Sequence, residues 1–141
     1  MTELQLQVGV KALLRNPEGK YLLVRRSPKA YPEVGAKWDI VGGRINPGSP
    51  LLENLRREIK EEVNLTLNKD PTLVAAQDIL RVPGRHVVRL TYVGEITGTP
   101  QVNEESEECQ WFTAGQMKQL DALDIYVKEL ISRGVILNGG E

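Results

Sequence analysis

An α/β fold of the α+β type, a mixed sheet with helices on both faces, is what this sequence predicts. Three observations carry it. Apolar residues alternate with period two at the start of the chain, β-rich runs return after Thr72, and two segments between and after them space their apolar residues like helices. The order is strands, helix, strands, helix, and each helix has one apolar stripe to bury, so the sheet is the surface that receives them. The pattern leaves strand order open. With 141 residues the chain is about the size of one domain, spanning 1–141.

Leu4, Leu6, Val8, Val10, Ala12 and Leu14 occupy every second position, predicting a strand with one buried face. "NPEG", Asn16 to Gly19, supplies the proline and glycine of a tight turn, and "KYLLVRR" returns to form a hairpin. Ser27 to Lys37 has no period and reads as a loop ending near Trp38. A glycine-rich turn around Gly42, Gly43 and Gly48 then leads into a helix, with Ser49 as N-cap and Pro50 at the first helical position. "TLVAAQDIL" and "HVVRLTYVGEI" make a second strand pair around the turn "RVPGR". "VNEESEE" is an acidic connection into the strand "CQWF". Thr113 and Gln116 match a capping box before one helix carrying Leu120, Leu123, Tyr126, Val127, Leu130 and Ile131, which ends at Gly134. No repeat or linker interrupts the chain, and the tail "NGGE" is expected to fray.

Composition excludes several classes. A net charge of -1 provides no global field for a nucleic-acid polymer or a membrane, so an anionic ligand must be met locally. One cysteine, Cys109, and one histidine, His86, leave no intrachain disulfide and no His/Cys zinc site. A reducing, cytoplasmic location is expected, with no membrane span or targeting segment.

The unusual stretch is "GGRINPGSPLLENLRREIKEEVNL", Gly42 to Leu65. On a helical wheel Leu51, Leu52, Leu55, Ile59 and Val63 fall within an arc of about 120°, which predicts the core face. Glu58, Glu61 and Glu62 begin inside that arc and run off one side. Glu53 has Arg56 and Arg57 within helical reach and Arg57 has Glu61, but Glu58 and Glu62 have no local cation. A plain solvated helix face is the bland explanation, and this unpaired charge beside apolar residues argues against it. A divalent cation would reverse the repulsion, since oxygen ligands within one turn suit Mg²⁺ or Mn²⁺. Arg44, inside the glycine turn, is the favoured phosphate-binding cation over Arg25, Arg26, Lys37, Arg81, Arg85 and Arg89.

These residues resemble the signature of the Nudix hydrolases, G-x5-E-x7-R-E-U-x-E-E-x-G-U with U aliphatic. Gly43 matches the first glycine, Arg57-Glu58-Ile59 the "REU", Glu61-Glu62 the paired acids and Leu65 the last aliphatic position. "AKWDIVGG" is similar to the family's approach to this box and "EESEECQWF" to its later acidic strand. Three positions depart: Ser49 replaces the first glutamate, Asn64 the last glycine and Val41 a common proline. Asn64 is the mildest, because asparagine tolerates the left-handed conformation.

The resemblance implies an α/β/α sandwich and a hydrolase that cleaves a diphosphate linkage in a nucleoside diphosphate derivative by water attack on phosphorus. It implies Mg²⁺ or Mn²⁺ held by Glu58, Glu61 and Glu62 with a carbonyl of Gly42 or Gly43. Glu58, Glu61 and Arg57 would be catalytic, Arg57 by orienting a glutamate, and Gly43 would lie against substrate. Glu105 or Glu108 would be a further ligand or base, the alternative being an acidic solvated loop. The implied partner is a small nucleotide, with homodimers frequent among similar proteins. "LRV", Leu80 to Val82, lacks the proline of ADP-ribose members and the tyrosine of dinucleoside polyphosphate members, which favours a nucleoside triphosphate or a broad range. Ser49 motivates the rival reading, a weakened nucleotide- or partner-binding module on the same fold. Trp38 and Trp111 are expected to pack, Tyr31 to be a loop tyrosine, His86 to be structural and Cys109 to be a small strand side chain rather than a nucleophile.

Overall fold

A computed structural model describes residues 3–29 and 37–136. Tyr31, most of the expected loop before Trp38 and the "NGGE" tail lie outside them. The architecture is a seven-stranded mixed sheet between helices. β1 (Gln5–Arg15) is central: it runs parallel to β6 (Arg85–Glu95) over its whole length, from Gln5 opposite Arg85 to Arg15 opposite Glu95. Its other edge pairs antiparallel with β4 (Val41–Arg44) at Gly9 to Ala12, and with β2 (Tyr21–Arg26) only at Arg15. The turn at Asn16 to Gly19 forms as expected, but the hairpin opens at once, because β2 takes β7 (Ser106–Phe112) and the short β3 (Trp38–Asp39) as partners. β5 (Thr72–Ile79) pairs antiparallel with β6, the second expected pair.

Successive side chains of β1 and β2 feed two cores, as the alternation of a pleated strand requires. Ala12, Leu14, Leu22 and Val24 join Leu55, Ile59 and Val63 of α1 (Leu51–Val63) on one face. Leu13, Tyr21 and Leu23 join Trp38, Phe112, Met117, Val127 and Leu130 on the other. The sequence reading gave β1 one buried face. In the structure Leu13 is fully buried and Lys11 is 8% exposed, because both sheet faces are covered, while Leu4 and Leu6 lie beyond the helices at 64% and 66% exposure. Trp38 packs edge-on against Phe112, with centroids 5.1 Å apart, and Trp111 lies against the first core.

Four further differences have local causes. The cap of α1 is Pro50, whose carbonyl accepts the first helical bond from Asn54; Ser49 instead closes a turn onto Asn46 and caps nothing. Leu51 is 37% exposed and the buried stripe centres on Asn54, Leu55, Ile59, Glu62 and Val63, a rotation of the core face toward the carboxylates. β7 begins at Ser106, so half of the acidic connection is strand. The last helix is two: α2 (Ala114–Lys118), with the expected Thr113–Gln116 capping box, and α3 (Ile125–Ser132). The break follows from Asp124, which caps α3 by accepting from the N–H groups of Tyr126 and Val127, and from Trp38, whose N–H bonds Ala122 while its carbonyl accepts from Asp124.

Asn64 closes α1 with φ 56° and ψ 40°, the left-handed cap expected from sequence. Asn64→Ala should therefore cost about 1 kcal/mol, whereas Asn64→Gly should be neutral or slightly stabilising, read from urea midpoints at constant m-value.

Candidate active site

Gly42 and Gly43 belong to strand β4 rather than to a turn, which starts only after Arg44. Both glycines are explained by close approach. At Gly42, φ is 143° and a Cβ would lie 2.1 Å from the carbonyl oxygen of Val10. At Gly43 a Cβ would meet the carboxylate of Glu58 at 2.8 to 3.0 Å. The strand thus presses directly against the acidic side of α1. Buried Asn54 fixes the junction: its Oδ1 accepts from the Asn46 N–H at 3.0 Å and from Arg57 at 3.2 Å, and its amide donates to the Arg44 carbonyl at 3.4 Å.

The three glutamates share one neighbourhood but have different partners. Glu62, 4% exposed, has both oxygens engaged: Oε1 accepts from Arg26 Nη1 at 2.6 Å and Oε2 from the Gly42 N–H at 2.7 Å. The cation that the helix could not supply comes from β2. Arg57 spans the other two, reaching Glu61 at 3.1 Å and Glu58 at 3.2 Å. Burial pushes the Glu58 carboxyl above the usual range, Glu62 and Glu61 push it further, and Arg57 opposes them. Asn103 donates its amide to the Glu61 carbonyl and its Oδ1 accepts from the Glu105 N–H, so the loop bearing Glu105 is tied to the end of α1. Glu108, in β7, pairs instead with Arg25 at 3.2 Å. Among the described residues no three acidic, histidine or cysteine side chains converge as a ready metal cage.

On the opposite sheet face lies an open cleft of about 710 Å³. Among the described residues, Lys11, Arg26, Lys37, Arg44, Arg81, Arg85 and Arg89 line it together with the carboxylates of Asp39 and Asp124. The sequence reading advanced Arg44 alone; the topology gathers six more cations from β1, β2, the residue before β3, the β5–β6 turn and β6. Gly42 and Gly43 also line the cleft, so they stand between it and the glutamates. Arg81 and Arg89 lie 5.4 and 5.7 Å from the Tyr126 ring.

Lys11, Asp39 and Asp124 escaped the sequence reading, and Arg89 was passed over in favour of Arg44. Charged residues inside the paired β1 and β6 were the available signal, since such charges need partners when buried. Asp39 accepts from Arg89 at 3.1 Å and pairs with Lys11 at 3.3 Å, and Arg89 reaches Asp124 at 3.4 Å. Burial alone would raise the Asp39 carboxyl, but Lys11, Arg89, Arg26 and the Ile40 N–H together hold it well below the usual range. Burial and Asp39 raise Asp124, and burial lowers Lys11. A depressed folded-state value means that Asp39 stabilises the protein at neutral pH and loses that contribution as pH falls through the carboxylate range. Urea unfolding from pH 7 to pH 3 should show this acid loss, and Asp39→Asn should flatten it.

The remaining candidates are structural. His86 Nε2 lies 2.7 Å from Asp78 across β5 and β6. The Cys109 thiol is pushed up by burial and by Glu108, away from thiolate chemistry.

Carboxylates on one helix, glycines in a strand against them and a cation-rich cleft beyond thus lie together in one α/β/α domain. The chain belongs to the NUDIX domain family, whose model matches residues 5–133. It is 26% identical over 108 residues to the human 8-oxo-dGDP phosphatase NUDT18, covering 73% of this chain and 31% of that protein. It is 29% identical over 106 residues to the NAD-capped RNA hydrolase NudC of Deinococcus radiodurans, covering 74% and 35%. The chain thus spans about a third of the length of these relatives. Among solved structures, a MutT protein from Methanosarcina mazei Go1 matches with a TM-score of 0.84 at 26% identity, covering 94% of this chain and 95% of that one. A MutT NUDIX hydrolase from Burkholderia pseudomallei matches with a TM-score of 0.76 at 26% identity, over 91% and 97%. No helix among the described residues is long and apolar enough to cross a membrane.

Proposed function

We propose that this protein is a divalent-metal-dependent hydrolase of nucleoside diphosphate derivatives, acting in the cytoplasm on a small nucleotide. The observation that carries the reading is the placement of Gly42 and Gly43, with a seven-cation cleft on one side and the Glu58 carboxylate on the other. Lys37, Arg44, Arg81 and Arg85 supply charge for a polyphosphate. The glycines let it approach the strand backbone. Arg57 orients Glu58 and Glu61. Glu58, whose proton affinity is raised by burial and by Glu62, is the group suited to take the proton of an attacking water.

The donor set suits Mg²⁺ or Mn²⁺. All candidate ligands are oxygen atoms, burial raises the Glu58 carboxyl and neighbouring Glu62 and Glu61 add like charge that a cation would relieve, and Mg²⁺ commonly uses one or two carboxylates with substrate phosphates rather than a full protein cage. Glu58 and Glu61, joined through one guanidinium, are the accessible pair; Glu62 and a carbonyl of Gly42 or Gly43 complete the candidates. When bound, the ion screens the phosphates, lowers the pKa of water and stabilises the leaving group.

A panel of nucleoside triphosphates, ADP-ribose and dinucleoside polyphosphates, together with the 8-oxo-dGDP and 8-oxo-dGTP named for relatives, tests this with Mg²⁺ or Mn²⁺. Hydrolysis of at least one compound, lost in Glu62→Gln, is expected; silence across the panel would sink the reading. Ser49 keeps the weakened-module alternative in play, since it contributes no carboxylate. Ser49→Glu should raise metal affinity and turnover several-fold if the native site is attenuated, and leave both unchanged if it is complete.

A further inference from the structure

We propose that Arg26 is a positioning residue that locks Glu62 in the free protein and releases it when an anion enters the cleft. The proposal rests on the hydrolase reading and assigns a coupling device within that site. Arg26 lines the cleft, yet its guanidinium is bonded to the box carboxylate behind the strand, 2.6 Å from Glu62 Oε1. Its second terminal nitrogen donates to the Ile40 carbonyl at 3.4 Å. Glu62 Oε2 accepts from Gly42, so the Arg26 bond is what fills the remaining carboxylate oxygen. Arg26 therefore belongs to both halves of the site.

A phosphate is a strong acceptor for a guanidinium, and the planar fork can pass from a carboxylate to a phosphate without losing its charged partner. Breaking a buried ion pair is expensive when one charge is left unpaired. Here neither is: the phosphate replaces Glu62 on Arg26, and a cation brought with the nucleotide replaces Arg26 on Glu62. Linkage then makes the two binding events favour each other by one factor, and part of that factor runs through Arg26.

Two measurements decide it. In the wild-type protein with Mg²⁺ present, a non-hydrolysable methylene analogue of the nucleotide that the panel identifies should shift the Glu62 carboxyl ¹³C resonance beyond its position with Mg²⁺ alone, and leave that of exposed Glu53 in place. In Mn²⁺ titrations followed by water-proton relaxation, Arg26→Gln should bind Mn²⁺ about 10-fold tighter than wild type when nucleotide is absent. The gain that the analogue confers should shrink correspondingly. An unmoved Glu62 resonance, or an equal gain in both proteins, would reduce Arg26 to a clamp between β2 and α1. Should Arg26→Gln fail to fold, the wild-type resonance decides alone. Silence across the nucleotide panel would overturn the hydrolase reading itself, whereas binding of the analogue with Glu62 unmoved overturns only the role of Arg26.

Discussion

Gly42→Ala should destroy the native state or cost roughly 4 kcal/mol or more, among the largest effects of a single substitution. Two penalties coincide. A φ of 143° lies where L side chains are rarely found, and a Cβ would sit 2.1 Å from Val10 O and 2.7 Å from Lys11 Cα. Both obstacles are backbone of the central strand, so no rotamer change relieves them. The adjacent Gly43→Ala is the internal control. There the methyl meets the end of the Glu58 side chain, which can swing away, so stability should change little while activity falls. Thermal unfolding and turnover measured on both variants separate the two roles. A Gly42→Ala protein with wild-type stability would show that β4 does not sit against β1 in this register.

Glu58→Gln should lower turnover by about 10²- to 10⁴-fold, the range expected for loss of a general base, with the fold retained. Stability should hold or rise slightly, because the substitution removes a charge that burial, Glu62 and Glu61 all disfavour. Loss of activity with a steady or higher midpoint is the mark of a group held at the expense of stability. Unchanged turnover would move the proton transfer elsewhere, with Glu61 and the loop bearing Glu105 the next positions to test.

Local chemistry was the legible part. The left-handed Asn64, the capping box at Thr113, the turn at Asn16 to Gly19 and the Arg57–Glu61 pair all depend on residues within a few positions of one another. What could not be read depends on distant segments meeting. The partner of Glu62 is Arg26, on another strand, and a helical wheel counts only neighbours on its own helix. Gly42 and Gly43 look like turn residues because glycine permits turns, yet here they permit contact between strand β4, strand β1 and the Glu58 carboxylate. The split between α2 and α3 had a readable sign in Asp124 before an apolar run, but the apolar spacing continues across it. Lys11 and Arg89 read as ordinary charges on strands until the parallel pairing buried them against Asp39. The same pairing assembled the cleft, whose cations come from segments spread between Lys11 and Arg89.

The parallel register of β1 with β6 also sets a schedule for the protein's biosynthesis. Gln5 to Arg15 must wait for Arg85 to Glu95 before that edge can be paired. At ordinary translation rates that offset of 80 residues takes roughly 4–16 s. During that time β1 can pair only through its other edge, with β4 at Gly9 to Ala12 and with β2 at Arg15. One edge of the first strand to leave the ribosome is therefore among the last to be satisfied.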